Sequence, residues 1–344
     1  MRDSQWADLL RVLGGELLDP LPVGFIIDSP WLAWWCGISI VDYLTDDAAW
    51  LEANFRAERR FPDMLFLPGF WAEYGMCTEP SAFGAKCVWP ESEFPFAEKM
   101  LFDYADVGRL KKPNCRTDGL LPFAIKRLER ARRKIEEEGH QIRFACSRGP
   151  MNIACYLLGH TELMIGVRTN PEEVHKLMDI VTEFVVDWVK LQADTFPSID
   201  GILLLDDLIG FLGVDDFNQF ALPYFQRIFG SLNVSVKALH NDCQGRITAR
   251  SLSEMGSNLF NFSFEHGLAE MRELAGDTVT LLGNIPPRDV LARGTPEDVR
   301  QSVAEALASV DDKRRIILSC GGGTPPDVST ANLDAFYAAA TGRE

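Results

Sequence analysis

The chain has 344 residues, of which 47% are hydrophobic and 24% charged, enough for two modest domains or one of barrel size. Its 34 Lys and Arg stand against 50 Asp and Glu, a formal charge of −16 that repels phosphate backbones and anionic lipid and argues against a nucleic-acid partner. No apolar run approaches the roughly 18–20 residues of a membrane span, and Met1-Arg2-Asp3-Ser4-Gln5 lacks the basic-then-apolar order of a secretory signal, so a cytoplasmic protein without membrane contact is expected. The eight cysteines, at 36, 77, 87, 115, 146, 155, 243 and 320, form no C-x-x-C pair, and reduced, mostly buried thiols are predicted.

Along the chain, short β-branched or Leu-rich runs recur at 22–27, 63–67, 142–146, 202–205, 234–239, 258–262, 278–282 and 315–318. Strands alternating with amphipathic stretches predict parallel βαβ units. Eight of them in a chain somewhat over barrel length predict an α/β fold of the (β/α)8, or TIM barrel, class. A doubly wound open sheet is the other fold with this alternation. An N-terminal extension precedes the first run, and the Pro- and Gly-rich stretch 68–122 reads as an inserted loop region. No repeat, low-complexity segment or linker composition interrupts the chain, so residues 1–344 read as a single domain.

Helix starts are legible in two places. Asn170-Pro171-Glu172-Glu173 supplies a cap, a proline where its missing N–H costs nothing, and acids that suit the helix dipole, ahead of Val174, Leu177, Met178, Val181, Val185 and Trp188 at helical spacing. Thr295-Pro296-Glu297-Asp298 resembles a capping box ahead of Val299 and Val303. The basic stretch with Lys126, Arg127, Arg130, Arg132, Arg133 and Lys134 reads first as a solvated helix face, and otherwise as a surface for an acidic partner.

Barrels carry their chemistry where strands hand over to the following loops. After the eight runs come Asp28; Pro68-Gly69-Phe70; Ser147-Arg148-Gly149; Asp206-Asp207; His240-Asn241-Asp242-Cys243; Ser263-Phe264; Gly283-Asn284; and Ser319-Cys320-Gly321-Gly322-Gly323. Carboxylate, imidazole and thiol therefore converge after runs four, five and eight. Alternate side chains share a face, so His240 and Asp242 point together while Cys243 needs the turn to swing it round. His240, Cys320 and one of Asp242 or Cys243 would give zinc three protein ligands and one open position. The same residues also read as a hydrogen-bonded core histidine and an inert thiol. Gly321 to Gly323 read as a phosphate loop or as a turn that lets a ligand approach the main chain.

Four segments together carry a resemblance. They are Ser147-Arg148-Gly149-Pro150; Leu205-Asp206-Asp207-Leu208 with Phe217 and Pro223-Tyr224; Gly283-Asn284-Ile285-Pro286 with Gly294-Thr295-Pro296-Glu297; and Cys320-Gly321-Gly322-Gly323-Thr324-Pro325. In that order they resemble the landmarks of the uroporphyrinogen decarboxylase superfamily, which implies one (β/α)8 barrel. The Arg-rich motif with which the true decarboxylases grip a tetrapyrrole has no match. The corresponding stretch, Asp28 to Trp35, is aromatic and offers no cation. The chain looks more like the corrinoid-dependent methyltransferase branch, which includes methylcobalamin:coenzyme M methyltransferases and demethylating enzymes.

That branch implies zinc ligands in an H-x-C pair after the fifth strand and a Cys after the eighth. His240 and Cys320 match; Asp242 occupies the middle position and Cys243 falls one residue late. The implied activity is methyl transfer between a small-molecule donor or acceptor and a corrinoid (methylcobalamin) carried on a partner protein, with Zn2+ as Lewis acid. Asp206 and Asp207 would orient His240 or the substrate, and Arg148 would hold an anionic substrate group. The rival expectation is metal-free decarboxylation of a small carboxylic acid, with Asp206, Asp207 or Asp242 as the proton donor and Arg148 on the carboxylate. A barrel that serves only as a binding subunit is the third. Trp31, Trp34, Trp35, Trp71, Tyr74 and Trp89 either line an apolar cavity or pack the core. A homodimer is the default assembly at this size.

Overall fold

The computed structural model describes residues 1–91 and 93–343. Each of the eight predicted runs becomes a strand: β1 Gly24–Ile26, β2 Leu65–Leu67, β3 Phe144–Arg148, β4 Gly201–Leu205, β5 Val236–Asn241, β6 Leu259–Phe262, β7 Thr280–Ile285 and β8 Ile316–Cys320. β3 to β8 form one parallel sheet in chain order, and β1 pairs with β2 in parallel. Single bridges, Val23 with Leu318 and Ile26 with Gly323, join β8 to β1. The Leu318 N–H donates to the Pro22 carbonyl at 3.0 Å and the Thr324 N–H to the Ile26 carbonyl at 2.9 Å. The strands therefore follow one another round an α/β barrel; among the described residues the β8–β1 seam is joined by single bridges alone and the β2–β3 seam has no ladder pairing.

Four strands run further than their apolar runs. β3 takes in Ser147 and Arg148, β5 takes in His240 and Asn241, β7 reaches Ile285 and β8 reaches Cys320. Polar residues continue these strands because the parallel ladder satisfies their backbone groups whatever the side chain. The helices start where the sequence predicts: Pro171–Thr195 follows Asn170, and Pro296–Ala308 follows Thr295 in a reciprocal capping box with Asp298. The 68–122 region holds a short helix, Thr78–Ala82, a two-residue antiparallel ladder pairing Cys87–Val88 with Phe96–Ala97, and a 3-10 turn at Tyr104–Arg109. No described helix is long and apolar enough to cross a membrane.

Side-chain alternation sorts the interior into two shells. Ala238, Leu259, Leu282 and Ile317 belong to the cluster inside the barrel, whereas Leu239, Phe260, Leu281 and Leu318 belong to the core between strands and helices. The amino-terminal helix Asp3–Leu13 sends Trp6, Leu9 and Val12 into the inner cluster. Trp6 meets Phe144, the first residue of β3, edge-on at 5.4 Å, so this helix closes the end of the barrel where the strands begin. At the other end, the same inward alternation passes from Ala238 to His240, from Leu259 to Asn261 and from Ile317 to Ser319. The lumen thus turns from apolar to polar in one layer, and that layer is the floor of the site.

Candidate active site at the barrel mouth

His240 is buried, 6% exposed, and its Nδ1 lies 2.6 Å from the Asn261 Oδ1. The Asn261 amide has no freedom to turn. Its Nδ2 donates to the Leu282 carbonyl at 2.8 Å and to the Cys320 carbonyl at 3.3 Å, so its oxygen must face the imidazole. His240 therefore carries its proton on Nδ1, and Nε2 offers a lone pair to the mouth. There the Asp207 Oδ1 stands 3.6 Å away and accepts the Asp242 N–H at 3.0 Å. One ligand atom each from Asp207, His240 and Asp242 lie within 4.8 Å of one another, the only metal-competent grouping among the described residues.

The electrostatics of the three are mutual. Burial works to lower the His240 pKa, but the carboxylates of Asp207 and Asp242 and the Asn261 bond outweigh it and the net shift is upward. Asp242 is exposed at the rim, yet its carboxyl is raised by loss of water in the mouth and by the like charge of Asp207, with His240 opposing. A cation placed among these groups would relieve that repulsion.

A second ring surrounds Arg148. Its backbone N–H donates to the Glu79 Oε1 at 3.0 Å, its Nη1 to the Glu79 Oε2 at 3.2 Å, and its Nη2 lies 3.7 Å from the Glu73 Oε2. The guanidinium sits 5.8 Å from the Trp71 ring centroid. Glu73 keeps Oε1 buried without a partner. Asp28, half-buried beside this group, has its carboxyl pushed up to about 7, by burial first and then by the Glu73 charge, against the pull of Arg148 and His240.

Among the residues singled out from sequence, Asp207, His240 and Asp242 come together, and Asp206, Cys243 and Cys320 do not join them. Asp206 is fully buried, its Oδ2 accepting the Met151 and Asn152 N–H groups at 2.9 and 3.3 Å at the start of helix Pro150–Leu158. Burial, then Asp207, hold its carboxyl well above the usual range. Cys243 turns toward Gly210, where an added Cβ would lie 2.9 Å from its own. Cys320 has the outward parity of Ile316 and Leu318 and lies in the strand–helix core, its Sγ 3.3 Å from the Gly322 carbonyl and its pKa pushed by burial up to about 12. Arg148 does reach the mouth, but between two carboxylates rather than free for an anion. Asn261, Glu73 and Glu79 carry no motif and were missed. Asn261 was within reach of the period-two rule, whereas the two glutamates sit in the irregular 68–122 region where no periodicity applies.

The glycines after β8 have a steric explanation. Gly322 has a φ of +123°, and a Cβ there would lie 3.2 Å from the Asp242 carboxyl; one on Gly321 would lie 2.4 Å from the Phe264 nitrogen. The eighth loop is thereby laid against the fifth and sixth.

Parallel strands following one another round a barrel, with titratable groups at their carboxyl ends, are the architecture of a barrel enzyme. The chain matches the uroporphyrinogen decarboxylase (URO-D) family over residues 6–342, and it belongs to that family. Similar curated relatives include uroporphyrinogen decarboxylases from Pseudomonas syringae pv. tomato, 26% identical over 270 residues (75% of this chain, 74% of that one), and from Photobacterium profundum, 25% identical over 300 residues (83% and 80%). Among solved structures, a methyltransferase from Methanosarcina mazei superposes with a TM-score of 0.82 at 19% identity, covering 98% of both chains. A B12-independent methionine synthase from a Shewanella species gives 0.58 at 13% identity, covering 94% of this chain and 96% of that one.

Proposed function

We propose that this chain is a zinc-dependent methyltransferase that moves a methyl group between a small molecule and a corrinoid carried on a separate protein. The observation that carries the reading is the Asp207–His240–Asp242 cluster, with the His240 Nε2 lone pair turned toward two carboxylates. These residues fit a borderline divalent ion, and three protein ligands leave one position for substrate. Zinc so held supplies Lewis acidity at the heteroatom that gives or receives the methyl group. Asn261 fixes the imidazole in its ligating tautomer, as outer-shell partners of ligating histidines do.

The donor set is one nitrogen and two oxygens, with neither Cys243 nor Cys320 in it. Such a set is harder than a thiolate site and suits an oxygen-bearing methyl donor better than a thiol acceptor. When a methyl group leaves an ether oxygen, that oxygen keeps the bonding pair and needs a proton; Asp28, whose carboxyl titrates near 7, holds one at the edge of the mouth. The exposed Phe211 and Phe264, on the loops after β4 and β6, give a corrinoid-bearing partner an apolar rim to dock on.

The decarboxylase reading is favoured by the names of the curated relatives. Arg148 does not serve it as a free cation for a substrate carboxylate, because Glu79 and Glu73 already engage that guanidinium.

Metal analysis of the purified protein tests the proposal. About one zinc per chain is expected, lost in His240→Ala and depleted in Asp207→Ala and Asp242→Ala, but kept in Cys243→Ala and Cys320→Ala. A metal-free native protein, or metal lost only on removing Cys320, overturns the ligand set. Following cobalamin absorbance across ethers, amines, thiols and folates tests methyl transfer itself, and silence with all four classes overturns it.

A further inference from the structure

Two of the eight cysteines meet. Cys77 opens helix Thr78–Ala82 and is fully buried, whereas Cys87, ten residues on, is half-buried in the short ladder opposite Ala97. The chain between them doubles back: the Gly84 N–H donates to the Ser81 carbonyl at 3.0 Å and the Ala85 N–H to the Pro80 carbonyl at 3.2 Å, with Gly84 at a φ of +93°. The other strand of the ladder is held at the same place. There the Met76 N–H donates to the Pro95 carbonyl at 3.0 Å, and a Cβ on Gly75 would lie 3.0 Å from Pro95.

The two thiols share a run of hydrogen bonds. The Cys77 thiol donates to the Cys87 sulfur, the Cys87 thiol lies 3.8 Å from the Ala85 carbonyl, and the Val88 N–H donates to the Cys77 sulfur. That arrangement holds the Cys87 thiol below its ordinary range and, with burial, pushes the Cys77 thiol up. An accessible nucleophile therefore sits against a sheltered thiol able to resolve it. Cys36 and Cys155, equally half-buried, face Arg56 and Asp206 rather than a second sulfur. The pair lies outside the metal cluster but shares a helix with the ring around Arg148, because Glu79, two residues after Cys77, accepts the Arg148 backbone N–H and Nη1.

We propose that Cys77 and Cys87 are an oxidisable pair that a two-electron oxidant such as hydrogen peroxide closes to a disulfide, latching the short ladder onto the helix that carries Glu79. The Cys87 thiolate attacks one peroxide oxygen, the O–O bond breaks, hydroxide leaves and Cys87 becomes a sulfenic acid. The Cys77 sulfur then attacks the Cys87 sulfur, and the departing hydroxide takes the Cys77 proton and leaves as water. Two thiols are oxidised, the peroxide is reduced to two waters, and a dithiol reductant reverses the step.

Peptide mass mapping of the whole protein tests this, because trypsin cuts after Lys86 and parts the cysteines between residues 61–86 and 87–99. After treatment with hydrogen peroxide, alkylation in denaturant and non-reducing digestion, these two peptides should travel as one species that dithiothreitol separates, while Cys36 and Cys155 are recovered alkylated. Cys77→Ser should leave Cys87 as a sulfenic acid that dimedone traps, and Cys87→Ser should leave Cys77 unoxidised. Amide hydrogen exchange across residues 78–88 should slow by about fivefold or more in the oxidised wild type, since a latched turn opens less often. Free thiols at both positions after peroxide, a bridge from either one to another cysteine, or equal oxidation of Cys36 would overturn the pair. Unchanged exchange in the bridged protein would overturn the latch.

Discussion

Asp28 and His240 show what a half-closed mouth does to single groups. The imidazole keeps a raised pKa despite burial because two carboxylates face it, whereas Asp28 is raised by burial itself and, after that, by the Glu73 charge. The consequence for stability has a definite sign. With a folded pKa of about 7 against an ordinary 3.8, Asp28 favours the folded state only while protonated, and that contribution is lost as pH rises from about 4 through 7. In chelator-stripped protein, Asp28→Asn should therefore match the wild type near pH 4. It should exceed it at pH 8 by something on the order of 2–4 kcal/mol, the upper end being three pKa units at 1.36 kcal/mol each. Urea denaturation at several pH values measures the gap, and parallel profiles would show that Asp28 ionises freely.

At the scale of elements, β4 and helix Pro150–Leu158 are joined through one buried carboxyl. Asp206 caps the helix with Oδ2, and Gly149 has no side chain because a Cβ would come within 2.3 Å of that oxygen. Asp206→Ala strands two buried N–H donors and should cost about 1–3 kcal/mol. Asp206→Asn keeps the accepting oxygen and removes the ionisable group, so it should stay within about 1 kcal/mol of the wild type. If instead Asp206→Asn were stable but inactive in methyl transfer, Asp206 would belong to the chemistry after all. The same element-level logic explains Asn261: a residue inside β6 reaches across to β7 and β8 carbonyls and so holds the β5 imidazole in one tautomer.

For the molecule as a whole, the two ends of the barrel carry different duties. The amino-terminal helix fills one end with Trp6, Leu9 and Val12, and the polar layer at the other end builds the site. Trp6→Ala removes a large buried ring packed on Phe144 and should destabilise the entire barrel by about 3–5 kcal/mol. Zinc stoichiometry at low temperature should not change, since no ligand touches that end. A thermal melt together with metal analysis checks both halves; metal loss without a lower melting temperature would mean the two ends are coupled.

The sequence by itself determined the eight strands, the starts of the two long helices and the shared face of His240 and Asp242, which follow from local periodicity, capping chemistry or a period of two within one strand. Strand–helix alternation fits an open sheet as well as a barrel, and the barrel was implied by the family resemblance. The sequence also put thiol, acid and imidazole at neighbouring strand ends, but it could not rank them. Which way each strand-end side chain turns depends on a parity that only the packed barrel defines: Asp207, Arg148 and His240 share the inward parity, and Asp206 and Cys320 the outward one. The carboxylates around Arg148 come from 68–122, a region with no period to read, so only the tertiary structure revealed that this cation is already paired.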